Sequence, residues 1–143
     1  MLNIVFDNLN FSMQPIARQT EAGGGPYMDW LKMEIKVTEN NFYGKVNWLV
    51  MPAEIEKFKN SLSHAYQVLI AGDGKINPFE FSGVEPNFSM LITVANPWRQ
   101  LFVQYTLKDS PDGPTLNGSF GIDQSYLPQW IADLEDLLEF PAQ

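Results

Sequence analysis

Between residues 30 and 37 the chain reads WLKMEIKV, and apolar and polar side chains alternate without a break. Leu31, Met33, Ile35 and Val37 fall on one side, Lys32, Glu34 and Lys36 on the other. A period of two is that of a strand with one buried and one solvated face. After a turn at 38–41 the alternation resumes over 42–50, with Val46, Trp48 and Val50 on one side, which predicts an antiparallel hairpin. The same pattern recurs at 87–95 (Phe88, Met90, Ile92, Val94) and at 98–107 (Leu101, Val103, Tyr105, Leu107), joined by a turn at Asn96 and Pro97. A polar turn at 109–114 leads to a last strand at 116–122. A looser alternation at 2–13 predicts one or two short strands turning at Asp7 and Asn8, and 79–82 a further short one. The glycine-rich stretch 18–28 reads as a loop.

Two segments change period. Pro52 opens a helix at its first position, with Glu54 and Glu56 near its positive end and a stripe of Ile55, Phe58, Leu62, Tyr66 and Leu69. The second helix closes the protein: Leu127, Trp130, Ile131, Leu134, Leu137 and Leu138 share a face, and Pro141 stops it. Ser125 is the expected N-cap, because that choice puts Pro128 in the first turn, where its missing N–H matters little. The two strand-to-helix passages echo each other: Trp48, Val50, Ile55, Phe58, Leu62 and Tyr66 match Phe120, Ile122, Leu127, Trp130, Leu134 and Leu138. Shared packing demands explain the spacing, with duplication as the alternative. The expected fold is α+β: a mainly antiparallel, curved sheet of about seven strands with two helices on one face, forming a single domain over residues 1–143.

At 143 residues the chain can bury a substantial core. With no cysteine, disulfides and thiolate metal sites are excluded. The N-terminus lacks the basic and apolar regions of a signal peptide, and no apolar run reaches the length of a membrane helix. A cytoplasmic protein is expected, and the Asn-x-Ser sequons then carry no weight.

Charge is the one strongly uneven property. The net charge is −8; residues 1–108 hold ten acids and nine bases, whereas 109–143 hold seven acids and no base. Such a balance disfavours nucleic-acid binding, which needs basic surface to neutralise phosphates. It suits a solvated helix face or a basic protein partner. The partner-binding candidates are Asp133, Glu135, Asp136 and Glu139 on the last helix, helped by Asp109 and Asp112 if that turn lies nearby.

Candidate chemistry is sparse. The three glycines at 23–25 lack the Lys-Ser or Lys-Thr of a phosphate loop. The segment from Gly72 to Glu80 resembles part of a calcium-binding loop, but in that register Leu69 and Ala71 would be the first and third ligands. His64, the sole histidine, has no second metal-binding side chain beside it in sequence. Glu80 and Glu85 would serve as a glycosidase-like pair only if they converged in space. No catalytic residue, metal site or cofactor is expected.

Several short motifs recur in order: Trp30-x-x-x-Glu34-Ile35-x-Val37, Gly44 in the next strand, Glu85-Pro86 before a strand, and Phe120-x-x-Asp123-Gln124-Ser125-Tyr126-Leu127 before the final helix. Together, over residues 30–141, they resemble the small bacterial immunity proteins similar to WapI. The resemblance implies a cytoplasmic, non-catalytic protein that binds one cognate toxin. It supplies no catalytic motif, and the motif residues read as structural. Two other classes stay open on the residues alone: an assembly component of a phage or secretion apparatus, and an enzyme working with carboxylates.

Overall fold

A computed structural model describes residues 1–6, 8–20, 29–72, 74–95 and 100–140. Among them the chain forms eight strands and two α-helices: β1 (Leu2–Phe6), β2 (Leu9–Thr20), β3 (Asp29–Glu39), β4 (Phe42–Val50), α1 (Pro52–Ala71), β5 (Phe79–Phe81), β6 (Phe88–Ala95), β7 (Gln100–Lys108), β8 (Thr115–Asp123) and α2 (Leu127–Leu138). The class is α+β, as the alternation predicts. The arrangement corrects the expectation of one seven-stranded sheet. There are two four-stranded antiparallel sheets, ordered β1-β2-β3-β4 and β5-β6-β7-β8. The helix after β4 ends the first meander, and β5 pairs with β6 instead of β4. The two helices pack on each other, with α1 also against β3 and β5 and α2 against β1.

Most strands lie where their alternation puts them, with ends that differ by a few residues. In β3 the residues Leu31, Met33, Ile35 and Val37 are buried, and their register across β2 and β4 aligns one apolar face across the sheet. β2 is longer than the alternation predicts and takes in 18–20 of the expected loop, past an irregular register between Pro15 and Ala17. The rest of that stretch, 21–28, and the turn residues Asp7, Asn96 and Pro97 lie outside the described residues.

The inner faces of the sheets meet in an aromatic core. Phe11 on β2 lies 5.8–6.1 Å, ring centre to ring centre, from Phe88, Tyr105 and Phe120 of the other sheet. Trp48 on β4 lies 5.1 Å from both Phe81 and Phe88. Phe58 of α1 stacks on Phe81 at 4.4 Å. Two polar links cross the same interface: the Trp48 indole N–H donates to the Glu85 carbonyl at 2.9 Å, and the Tyr105 hydroxyl donates to Glu39 Oε1 at 3.0 Å. Burial pushes the Tyr105 phenol up to about 12, helped by the Glu39 carboxylate.

Helix α1 starts at Pro52 as expected. Its first turn is closed by Glu54, whose Oε1 accepts from the Met51 N–H at 2.9 Å. Gly72 ends it in the left-handed region at φ 78°, with its N–H on the Val68 carbonyl. The start of α2 differs from the expected Ser125 cap. Asp123 caps a single 3₁₀ turn (Gln124–Tyr126), accepting from the Ser125 N–H at 2.8 Å, and α2 begins only at Leu127. That turn reconciles an Asp123 cap with Pro128, which still falls within the first two positions of α2.

Candidate functional site

Helix α2 buries Leu127, Trp130, Asp133, Leu134 and Leu137, with Trp130 only 1% exposed. Glu135, Asp136 and Glu139 point to solvent. Asp133 does not: it is 9% exposed, and its Oδ1 accepts from Gln129 Nε2 at 2.9 Å. The expected set of four exposed acids is therefore three, and Asp133 is occupied within the helix. The helix itself carries no base in its last turn, so the three carboxylates have no cationic partner within it.

The end of α2 is held from outside. The Arg18 guanidinium, on β2, forks onto Asp29 of β3 at 3.1 and 2.6 Å. Its remaining nitrogen donates to the carbonyls of Leu138 and Phe140 at 2.7 and 3.0 Å. Those are C-terminal carbonyls that no helical N–H can reach. The hydrogen bonds to Asp29 raise the Arg18 pKa further above its ordinary value. One cation thus fixes the end of the acidic helix to the first sheet.

Asp109 and Asp112 are exposed in the β7–β8 turn, where the Asp109 N–H donates to the Pro114 carbonyl. Gln100 pairs with Asp123 and Lys108 with Thr115, so this turn lies at the opposite end of the hairpin from the start of α2. Eight residues at about 3.3 Å each separate the two ends along the strand, about 26 Å. The structure therefore unites Glu135, Asp136 and Glu139 and sets Asp109 and Asp112 apart as a second acidic group.

The other candidates do not assemble into chemistry. Glu80 is exposed on β5, over a polar trough on the outer face of the second sheet that includes Ser89, Gln104 and Ser119. Glu85 is half-buried before β6 and does not line that trough. His64 lies on the exposed side of α1, in an open groove of about 660 Å³ shared with Lys57, Lys75 and Phe79. Among the described residues no three His, Cys, Asp or Glu side chains cluster closely enough to hold a metal ion. No helix of the described chain is long and apolar enough to cross a membrane.

A feature missed from the sequence lies on the outer face of the first sheet. Glu34 reaches Lys36 at 3.1 Å and Lys45 at 3.6 Å. The hydrogen bond from Lys36 and the two ammonium charges hold its carboxyl below the usual range. Alternation alone puts Lys36 on the polar side of β3; finding Lys45 directly across from it requires the register.

The comparisons with known proteins concern the fold and the family. The fold is similar to that of the plant transcriptional regulator PBF-2 (TM-score 0.58, 9% identity, covering 97% of this chain and 80% of that one). It is also similar to WHY1 from Arabidopsis thaliana (TM-score 0.55, 11% identity, 97% and 82% covered). WHY3 from the same plant gives a TM-score of 0.52 at 13% identity, with 96% and 85% covered. At such identities the likeness is one of architecture. No curated protein sequence matches the chain. The model of the immunity protein WapI-like family matches residues 3–141, which extends the resemblance from Trp30 back to the first strand. On that match over nearly its whole length, the chain belongs to the immunity protein WapI-like family.

Proposed function

We propose that this protein protects a bacterial cell by binding a cognate toxin and occluding it, with no chemistry of its own. The family match over residues 3–141 carries the reading. The exposed carboxylates of Glu135, Asp136 and Glu139 supply a contact surface for a basic toxin domain, such as one whose cleft binds a polyanion. Asp109 and Asp112 add to the long-range field without sharing that surface. Asp133 takes no direct part, being buried against Gln129. The reading also places the protein in the cytoplasm, where a producer must meet its own toxin.

The first test is survival of cells that express the toxin domain encoded beside this chain, with and without the chain itself. Growth arrest in both cases would end the immunity reading. The second concerns the surface. Exposed charges act mainly on encounter, so neutralising Glu135, Asp136 and Glu139 to their amides lowers the association rate by about tenfold in low salt, with little change in dissociation. The difference fades as salt shortens the Debye length from about 10 Å at 0.1 M toward 3 Å at 1 M. Stopped-flow association at both salts measures this. Equal rates at low salt would move the interface away from α2 and leave immunity itself intact.

A further inference from the structure

The first sheet turns a polar face to solvent on the side opposite the core. Its register aligns Ser12, Lys36 and Lys45 in one row, and Gln14, Glu34 and Asn47 in the next. Lys32 follows beyond Glu34, opposite Leu49, and Tyr43 lies opposite Thr38 with 62% of its surface exposed. Three of the nine bases of a chain with net charge −8 thus stand on one face, against one carboxylate.

Placing Lys36 directly across from Lys45 is unfavourable by itself, since like charges opposite each other on a sheet repel. Glu34 offsets this by bridging both ammonium groups. Each ammonium has three donors; Glu34 takes one from Lys36 and stands only in ion-pair range of Lys45. Both lysines remain nearly half exposed, at 46% and 48%. Lys32 is exposed with no ion pair among the described residues. Glu34 shows in place how a carboxylate fits between this pair, and the solvent side of the same pair is open to a second one.

We propose that this outer face of the first sheet is a second docking surface, which takes a carboxylate-rich segment of a protein partner between Lys36 and Lys45, with Lys32 as a further anchor. Lys32 and Lys36 are four residues apart on β3, about 13 Å. An extended segment with acids at its first and fifth positions matches that spacing. A phosphate backbone is a poorer match, because its charges recur at every nucleotide and one would fall against Glu34, whereas a peptide can carry acids at its first and fifth positions and a neutral residue between them. A protein segment answers both signs, and an exposed tyrosine among amides and hydroxyls suits a protein contact. The proposal is independent of the toxin's charge and of the α2 surface.

The test titrates the full isotope-labelled chain at low salt with the peptide Glu-Ser-Gly-Ser-Glu, following backbone amide shifts. Saturable shifts centred on Lys36, Lys45 and Asn47 are expected. Lys36→Gln with Lys45→Gln weakens binding at least tenfold. Glu34→Gln, which removes the internal competitor, tightens it severalfold, and by more than Asp112→Asn, which removes one negative charge away from this face. Shifts centred elsewhere, or lysine and glutamate variants that move affinity in the same direction, would overturn the proposal. Tighter binding of penta-thymidylate at this face would overturn it in favour of phosphate. The same shifts appearing with rising protein concentration and no peptide would overturn it in favour of a second copy of the chain.

Discussion

Two glycines show what single residues contribute here. A Cβ on Gly118 would collide with the hydroxyl end of Tyr105, its register partner, and Tyr105 cannot move without leaving Glu39. A Cβ on Gly44 would lie 2.5 Å from Leu116 Cδ2, the free end of a flexible side chain on the other sheet. Gly118→Ala is therefore expected to lower the urea midpoint more than Gly44→Ala, although both replace a strand glycine. The Tyr105 link also has a pH signature. A phenol raised to about 12 in the folded state, against 10 when unfolded, contributes stability that is complete below about pH 10 and lost as pH rises toward 12. Chemical denaturation between pH 9 and 12 should show that loss in the native protein and a shallower one in Tyr105→Phe.

At the scale of elements, α2 is defined by its buried face and its far end. Trp130→Ala at a site 1% exposed should destabilise by about 3–5 kcal/mol, read from the denaturation midpoint. Arg18→Ala should leave most of the core intact and speed amide exchange in the last turn of α2, whose carbonyls it holds. Exchange no faster than in the native protein would mean that the packing of Leu134 and Leu137 alone fixes the helix end. The helix itself was legible in the chain, and so was the position of Asp133: Trp130, Asp133, Leu134 and Leu137 form the i, i+3, i+4, i+7 series. Reading Asp133 by its charge instead of its place put it on the wrong side. An Asp123 cap conflicts with Pro128 for a helix that starts at once; what the sequence hides is the 3₁₀ turn between them, which leaves no periodic mark in three residues. The strands were legible because each has one wet face; their division into two sheets was not, since alternation says which side is buried and nothing about which strand lies alongside.

For the molecule as a whole, charge is sorted by surface. The exposed side of α2 is acidic, and the outer face of the first sheet is basic around Glu34. The acidic group was visible in composition, because all its members are close in sequence. The basic one was not, because Lys36 and Lys45 become neighbours only through the β3–β4 register. The family assignment was legible for a third reason: its motifs mark packing positions. Gly44 faces Leu116 across the sheets, and the Glu85 carbonyl receives Trp48.

The order of the strands has a consequence for how the chain comes together. Every pairing in either sheet joins strands adjacent in sequence, and α1 stands between the two meanders. The hydrogen-bonded contacts are thus local, the kind that form early because little loop entropy is lost in closing them. The long-range contacts are those between the two meanders: the aromatic layer around Phe11, Trp48 and Phe88, the packing of α1 on α2, and the Arg18 tie to the end of α2. A backbone cut in the connection between α1 and β5 would sever no strand pair. Two fragments, 1–74 and 75–143, should then recover the native fold on mixing, at a rate set by their concentration.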